Sequence, residues 1–363
     1  MKITASKTTA ILAPEENNPR NSEGSFIKLD DGRIAYVFSR YTGASYRDDA
    51  DCTIACIYSR DNGESWETEN IETLITAKDY GQKNVMSVTL RHMNNGDIGL
   101  FFLLKIDDKN ISCYILRRYK GDFSQPCGEV RINSDKYPAY YVVNNDRVIR
   151  HSSGRWIIPV AYHPDNRVDE ESTFCDMRAT AYFFVSDDDG YTWRLTPAKL
   201  DIGVPHSKSG LQEPGIVELP GGVLYAYFRT DLMYQYESVS LDKGESWFTP
   251  QPSKFSSPLS PMLIKKNPFS GKYYAVWNPT PQYPGRPKPE GFWNGGRTPF
   301  VIAESIDGVG FSDFEIIEDD KERGFCYPAI EFIDEKILLL AYCSGGKEDG
   351  CCLNRITIRK IEL

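Results

Sequence analysis

Short apolar runs that follow a turn residue recur along the whole chain. Six stand out: GRIAYVFS from Gly32, GDIGLFFL from Gly96, GRWIIPVA from Gly154, GVLYAYFR from Gly222, GKYYAVWN from Gly271 and EKILLLAY from Glu335. Apolar runs of this length between turn signals are typical of buried β-strands. Because the runs start about 60 residues apart, they predict one β-unit repeated six times.

Each unit also contains further strands. A second apolar segment precedes most of the runs, as in SFIKL, SVTLRHM and GIVEL, and a third follows several of them, as in CTIACIYS and TAYFFVS. Three or four strands per unit predict an all-β fold, a six-bladed β-propeller with one blade per unit. Two sheets packed face to face are the alternative, but they predict no common period. No linker rich in Gly, Ser or Pro divides the chain, so we expect residues 1–363 to form a single domain.

One motif, Ser-x-Asp-x-Gly-x-x-Trp, occurs three times. Its copies are SRDNGESW from Ser59, SDDDGYTW from Ser186 and SLDKGESW from Ser240. Ser and Asp side chains bind turn amides, glycine adopts a left-handed backbone, and the Trp can hold the turn against a sheet. The second unit lacks the motif, and SIDGVGF, which ends at Phe311, lacks the Trp. We therefore interpret these turns as structural.

The charge balance limits the partners. The chain has 42 basic and 51 acidic residues and a formal net charge of -9, which argues against nucleic acid and anionic membranes as partners. No segment approaches about 18 uninterrupted apolar residues. No export signal is visible at the start of the sequence, so we expect a cytoplasmic location.

The cysteines and histidines form no metal or disulfide pattern. Nine cysteines is an odd number, and their scatter fits neither a disulfide framework nor paired zinc knuckles. The four histidines include no H-x-x-x-H or H-E-x-x-H motif. We expect reduced thiols, no metal and no cofactor.

With its repeated Asp-turns, the chain resembles the sialidase (neuraminidase) superfamily over essentially its whole length. Propellers of this superfamily have six blades and carry the same turns, known as Asp-boxes. The resemblance implies a retaining exo-glycosidase with three arginines that hold a substrate carboxylate. It also implies a Tyr nucleophile, a Glu that deprotonates the Tyr, and an Asp that acts as acid and then as base.

Three stretches match this set in order and in successive blades. LQEPGIVELPGGVLYAYFRT contains Glu213 and, at the end of its hairpin partner, Arg229; these are similar to the Glu and the second arginine of the family. GGRTPFVIAES offers Arg297 as the third arginine, and GFCYPAIEF presents Tyr327 where the family keeps its nucleophile. Each residue alone also fits an ordinary role in a core, a surface or a turn. The combination favours catalysis.

The resemblance places the acid/base on the loop SRYTGASYRDDADCTIACIYS. Asp48, Asp49 and Asp51 compete for this role, and we favour Asp49. The remaining acids of the loop are expected to be solvated.

The sequence departs from the family at its first arginine. Ten residues before Gly32, where the family has Arg-Ile-Pro, the chain has Ser22. Arg20 or Arg40, across the same hairpin, could substitute, but Glu23 nearby would repel a carboxylate. This departure predicts that common sialosides are poor substrates and that the substrate is a differently substituted acidic sugar or a neutral one.

Other polar residues at blade entries are candidates for sugar recognition. They are Asn145, Asp146, Arg147, Asp231 and Gln235, with Tyr234 and Trp293 as aromatic rings for stacking on a sugar. Arg147 has an alternative interpretation, in which it simply pairs with an acidic neighbour.

Two further functional hypotheses remain beside the glycosidase. One is a catalytically silent propeller that binds carbohydrate or protein, and the other is a lyase or hydrolase that uses His151, His163 or His206. The presence of both Tyr327 and Glu213 favours the glycosidase. Its expected partner is a carbohydrate substrate, and nothing in the sequence indicates an oligomeric state.

Overall fold

The computed structural model describes residues 2–106, 111–133, 136–164, 177–280 and 296–363. Within these ranges the chain forms strands in six sheets, which we call blades 1 to 6 in chain order. Three short 3₁₀ helices are Ala77–Tyr80, Pro220–Gly222 and Lys347–Asp349. None of the helices in the described ranges is long and apolar enough to cross a membrane.

The first half of the chain supplies β1 and three blades. The N-terminal strand is β1 (Ala5–Leu12). Blade 1 contains β2 (Arg20–Lys28), β3 (Ile34–Tyr41), β4 (Cys52–Ser59) and β5 (Glu72–Thr76). Blade 2 contains β6 (Val85–His92), β7 (Ile98–Ile106), β8 (Ile111–Tyr119) and β9 (Pro126–Arg131). Blade 3 contains β10 (Tyr140–Val142), β11 (Ile149–Arg150), β12 (Trp156–His163), β13 (Thr180–Ser186) and β14 (Arg194–Leu195).

The second half supplies the other three blades. Blade 4 contains β15 (Gln212–Glu218), β16 (Leu224–Arg229), β17 (Tyr234–Ser240) and β18 (Gln251–Ser256). Blade 5 contains β19 (Leu263–Lys266), β20 (Tyr273–Trp277), β21 (Phe300–Ser305) and β22 (Glu315–Glu318). Blade 6 contains β23 (Cys326–Phe332), β24 (Ile337–Cys343), β25 (Ile356–Glu362) and also β1.

The blades pack in a closed ring. Six apolar clusters each join two successive blades, and one of them joins blade 6 back to blade 1. The first strands of blades contact one another, as β2 does with both β6 and β23, so these strands surround the axis. The predicted all-β, six-bladed β-propeller is confirmed.

The ring is closed where the N-terminal strand joins the sheet of the last blade. β1 pairs with β25 in antiparallel register, with Ala5 opposite Glu362 and Leu12 opposite Ile356. The N-terminal segment therefore supplies the outermost strand of the last blade. This pairing hydrogen-bonds the backbone groups at the edge of β25 and joins the first strand of the chain to the last.

The Asp-turns lie between the third and fourth strands of their blades, away from the axis. In blade 1, Ser65 donates from its amide to Oδ1 of Asp61 at 2.9 Å, and the Gly63 amide donates to Oγ of Ser59 at 2.9 Å. Trp66 packs over Phe26 at 5.8 Å between ring centroids. Blades 3 and 4 repeat the same hydrogen bonds. The structural interpretation of the motif is confirmed.

Candidate active site

The first strands share one backbone irregularity near their starts. In β2, β6, β15 and β23 the pairing with the next strand shifts register, and a residue with positive φ follows the last regular pair. These residues, with Asp146 of blade 3, are Glu23 (φ 48°), Ser87 (59°), Asp146 (56°), Glu213 (48°) and Tyr327 (53°). Left-handed backbone at residues other than glycine is strained and concentrates at functional sites. Such bulges also redirect side chains.

Tyr327 and Glu213 contact each other across the axis. The Tyr327 hydroxyl donates to Oε1 of Glu213 at 2.8 Å, and both residues are 8% exposed. Nη1 of Arg229 bonds the same Oε1 and lies 3.5 Å from the Tyr327 hydroxyl. The phenol therefore has a carboxylate placed to take its proton and a cation beside its oxygen.

Burial and the Glu213 carboxylate raise the pKa of Tyr327 well above its usual value. Arg229 and Arg297 lower the pKa but do not reverse the increase. The phenol is therefore protonated in the ligand-free protein, and its proton has to pass to Glu213 during any attack by the oxygen.

Arg297 lies against the ring of Tyr327. Its guanidinium carbon is 5.6 Å from the ring centroid, and Nη1 lies 3.0 Å from Sγ of Cys326 and 4.0 Å from Sγ of Cys352. Within the described residues its side-chain hydrogen-bond partners are thiols, and no carboxylate forms an ion pair with it. A carboxylate is the more usual partner of a buried arginine.

On the side of blade 1, the site contains Arg20, Glu23 and Asp48. Arg20 is 2% exposed and donates from Nη1 to Oδ1 of Asp48 at 2.6 Å. Its Nη2 lies 3.6 Å from Oε2 of Glu23. Partial desolvation raises the pKa of Asp48, but the Arg20 and Lys105 cations outweigh it and hold the pKa below its usual value.

Glu23 is a buried acid within the electrostatic range of the Tyr327 pair. Burial raises the pKa of the Glu23 carboxyl to about 7, against a lowering by Arg20. The carboxylates of Asp48 and Glu213 contribute to the increase. Glu23 in turn contributes to the high pKa of Tyr327.

The site combines balanced charge with unsatisfied polar atoms. Its three arginines and three acids are Arg20, Arg229, Arg297, Glu23, Asp48 and Glu213. With every acid ionised, their formal charges sum to zero. Buried atoms without a hydrogen-bond partner in the described chain are Nε of Arg20, Arg229 and Arg297 and Oε2 of Glu23 and Glu213. Unpaired buried polar groups are rare and point to a ligand or a strained, functional arrangement.

Asn145 holds two of the irregular segments in place. Its Nδ2 donates to the carbonyl of Gly24 at 2.9 Å and approaches the carbonyls of Tyr327 and Pro328 at 3.4 and 3.3 Å. Asn145 is 1% exposed, so it is a positioning residue between blades 1, 3 and 6 and not a free group for sugar binding.

Two predicted residues near blade 1 lie apart from the Tyr327 pair. Asp49 is exposed and forms an ion pair with Arg47 at 3.4 Å, while its neighbour Asp48 holds Arg20. Arg40 donates from Nε to Oδ1 of Asn18 at 3.3 Å. The structure therefore favours Asp48 over Asp49, and Arg20 over Arg40, for contact with a ligand, because Arg20 is buried and Asp48, although its side chain is 65% exposed, pairs with it.

Arg147 and Gln235 are also placed differently from the prediction. Arg147 donates from Nη1 to the Tyr227 hydroxyl at 3.0 Å and lines a separate cavity farther along the axis. Gln235 is 1% exposed and donates to Oγ of Ser257 and the carbonyl of Ser260. The described contacts bring neither residue to the Tyr327 pair.

The remaining sequence candidates have local roles or lie elsewhere. Asp231 accepts hydrogen bonds from the loop residues Ser207 and Ser209, and Trp293 lies outside the described residues. His151 contacts Oγ of Ser153 at 2.8 Å and the carbonyl of Gly222 at 3.0 Å, which is a structural arrangement between two hairpins. In the described ranges no group of three or more His, Cys, Asp or Glu side chains could hold a metal.

Sequence reasoning preferred Asp49 to its competitor Asp48 and assigned Glu23 only a repulsive role. One signal was available, because Glu23, Glu213 and Tyr327 lie at similar distances before the hairpin turn of their units. Aligning the six units with one another places the three residues at one position of the repeat.

Comparisons with known proteins agree with this fold. The family described as "BNR repeat-like domain" matches residues 34–336. A solved protein of unknown function from Dyadobacter fermentans aligns with a TM-score of 0.71 and 16% identity, covering 99% of this chain and 100% of that chain. No protein with a curated description matches the sequence significantly.

Two sialidases of known structure are also similar. The Trypanosoma rangeli sialidase, solved with sialic acid, aligns with a TM-score of 0.69 and 14% identity, covering 99% of this chain and 59% of that chain. NanB sialidase from Streptococcus pneumoniae aligns with a TM-score of 0.68 and 11% identity, covering 98% of this chain and 70% of that chain. This chain therefore spans only part of each sialidase, and at these identities the likeness shows the fold alone.

Proposed function

Since the chain belongs to the BNR repeat-like domain family, we propose that it is a sialidase-type glycoside hydrolase. It removes a terminal sugar from a glycan with retention of configuration, and Tyr327 is its nucleophile. The observation that carries the proposal is the 2.8 Å hydrogen bond from Tyr327 to Glu213, beside two arginines with unpartnered donors.

The Tyr327 pair supports the first step. The phenolic oxygen attacks the anomeric carbon while Glu213 takes the phenolic proton, and the bond to the leaving group breaks. A neutral phenol is preferable to a carboxylate where the reacting carbon bears, or lies next to, negative charge. Arg229, 3.5 Å from the hydroxyl, stabilises the phenolate character that develops on the oxygen.

Asp48 supplies and recovers the second proton. In the first step it protonates the leaving oxygen, and in the second it takes a proton from water while the bond between Tyr327 and the sugar breaks and Glu213 returns the phenolic proton. Arg20 keeps Asp48 ionised in the ligand-free protein. A substrate that forms hydrogen bonds with Arg20 weakens the ion pair between Arg20 and Asp48, so that Asp48 can bind a proton.

The charge of the site defines the sugar that it accepts. Arg20, a candidate for the first carboxylate-binding arginine, is already balanced by Asp48 and Glu23. A substrate carboxylate therefore gains less here than at three uncompensated arginines, and it meets Glu23 as a like charge. The proposed substrate is a neutral sugar or an acidic sugar whose charge lies away from Glu23, and common sialosides are poor substrates.

A panel of aryl glycosides, both neutral and acidic, tests this function. The wild-type protein is expected to release the aglycone from at least one of them, and Tyr327→Phe to abolish that release. Tyr342→Phe is the matched control, because Tyr342 is a buried tyrosine of the same blade whose hydroxyl also bonds a glutamate, Glu318. Sugar binding without any hydrolysis by the wild type would instead support the catalytically silent propeller.

A further inference from the structure

A cavity lies on the propeller axis, apart from the Tyr327 pair. Along the first strands, most of its lining residues come after the residues with positive φ. Its volume is about 340 Å³, and strands from all six blades contribute to its wall. In β2 and β15 the lining residues begin at Phe26 and Ile216, which follow Glu23 and Glu213 along the chain. The cavity is therefore separate from the Tyr327 pair.

Basic side chains outnumber acidic ones in the wall of this cavity. The six cations are Lys28, Arg91, Arg147, Arg150, Lys265 and Lys266. The three acids are Asp146, Glu218 and Glu331. An excess of three positive charges is concentrated here, in a protein whose formal net charge is -9. Such clustering in a concave, low-dielectric wall focuses positive potential and attracts anions.

The acids of the wall neutralise only part of this charge. Asp146 accepts from Nη1 of Arg91 at 2.7 Å and from Nζ of Lys265 at 3.0 Å. Glu218 accepts from the Ser152 amide at 2.7 Å. Burial raises the pKa of Glu331, against a lowering by Lys265.

Arg147 remains a buried cation without a counter-ion. It is 2% exposed, its Nη1 bonds the Tyr227 hydroxyl at 3.0 Å, and no carboxylate of the described chain pairs with it. A buried guanidinium with only a neutral partner is unfavourable unless an anion is supplied. Of the other wall cations, Lys28, Arg150 and Lys266 form no ion pair within the described ranges.

We propose that this axial cavity binds a doubly charged tetrahedral oxyanion, a phosphate or sulfate group. Arg147 holds the anion from the inner wall, and Lys28, Arg150 and Lys266 hold it from the opening. Guanidinium binds two oxygens of such a group at once, and lysines add point charges. The volume lies within the range of about 300 to 1,000 Å³ that is typical of small-ligand sites. The group is therefore carried by a free ion or by an ester of a small metabolite.

Calorimetric titration at constant ionic strength tests the site. Inorganic phosphate and sulfate are expected to bind saturably to the whole chain, and acetate and chloride are not. Lys28→Gln combined with Lys266→Gln should weaken phosphate binding at least ~10-fold, because two charge-assisted contacts are lost. Lys336→Gln is the matched control, since Lys336 is exposed on the β23–β24 hairpin and lies outside the cavity wall.

Arg147→Gln should abolish phosphate binding. If Arg147→Gln does not fold, the double variant Lys28→Gln with Lys266→Gln tests the site instead. Tighter binding of glycerol phosphate than of inorganic phosphate identifies a metabolite ester, and the reverse order identifies the free ion; both support the site. The absence of saturable binding by phosphate, sulfate and glycerol phosphate, or an equal loss of phosphate binding in Lys336→Gln, would overturn it.

Discussion

The hydroxyl of Tyr327 donates a hydrogen bond of 2.8 Å to Oε1 of Glu213, a residue 114 positions away in the chain. Tyr327 and Glu213 are the second residues of the first strands of blades 6 and 4. Each lies at a register shift and has a positive φ. Closure of the ring therefore determines this contact, and local sequence does not. The contact has consequences that substitutions can test.

Tyr327→Phe is expected to leave the fold intact and to lower turnover by orders of magnitude. The lost hydroxyl removes one hydrogen bond, which contributes about 1 kcal/mol to stability, whereas the nucleophile is removed completely. Initial rates and thermal unfolding should be measured together. A folded variant with the turnover of Tyr342→Phe would exclude Tyr327 from the mechanism.

Asp48→Asn is expected to lower kcat by about 100-fold or more, as is typical for loss of a general acid/base. Asp49→Asn is its matched control, because Asp49 is adjacent and similarly exposed, and its ion pair in the described part of the chain is with Arg47 and not with Arg20. Activated aryl substrates, whose leaving groups need little protonation, should partly restore the rate of Asp48→Asn. If Asp49→Asn is instead the impaired variant, the original preference for Asp49 is correct.

Glu23→Gln is expected to improve the recognition of acidic sugars. Removal of the like charge should raise kcat/KM for a carboxylate-bearing aryl glycoside by about 10-fold, the equivalent of about 1.4 kcal/mol. The pKa of Glu23 is about 7, so the wild-type protein should bind a free sugar acid more tightly as the pH falls below this value. Inhibition constants across this range should change in the wild type and remain flat in Glu23→Gln. Efficient cleavage of common sialosides by the wild type would contradict this account.

Glu23 also makes stability depend on pH. Its pKa is raised by burial from 4.5 to about 7 in the folded protein, so the folded state binds the proton more tightly than the unfolded state. The corresponding stabilisation is fully present below the unfolded pKa and is lost as the pH rises through the folded pKa. Relative to Glu23→Gln, the wild type should lose about 3 kcal/mol over this interval. Denaturant unfolding at several pH values measures the difference, and parallel curves for the two proteins would refute it.

Two glycines test the packing of blade 1 against blade 6. Gly63 has φ +79° and a Cβ placed there would lie 2.4 Å from Cδ2 of Leu339, while Gly32 has φ +88° and open space around it. Gly32→Ala should destabilise the protein by about 1 kcal/mol through backbone strain alone. Gly63→Ala should add about 1 to 3 kcal/mol from overpacking. Equal unfolding free energies for the two variants would show that Leu339 moves aside without cost.

The fold was predictable from sequence because its signals are local. Turn residues and apolar strands recur in each of the six units, and three units also carry the full Asp-turn motif, so the copies reinforce one another. The pairing of β1 with β25 was not predictable in this way, since only half of the residues in ASKTTAIL are apolar and its partner lies at the other end of the chain.

The candidate site was predictable only in part. Glu213, Arg229 and Tyr327 come together as expected. Glu213 and Tyr327 lie near the starts of first strands, and Arg229 ends β16 opposite Gln212. The sequence did not show which of two adjacent residues contacts the site. Asp48 and Asp49 are adjacent and similarly exposed, and their ion-pair partners, Arg20 and Arg47, distinguish them. Arg147 lines the axial cavity together with its neighbour Asp146.

The most direct test of the central claim is mass spectrometry of the protein, quenched during turnover of the best substrate in the glycoside panel. The account predicts that the peptide containing Tyr327 gains the mass of one glycosyl group, that Tyr327→Phe shows no such gain, and that the released sugar first has the anomeric configuration of the substrate. A glycosyl group on a carboxylate such as Glu23 or Glu213, or a product with inverted configuration and no adduct, would contradict the account.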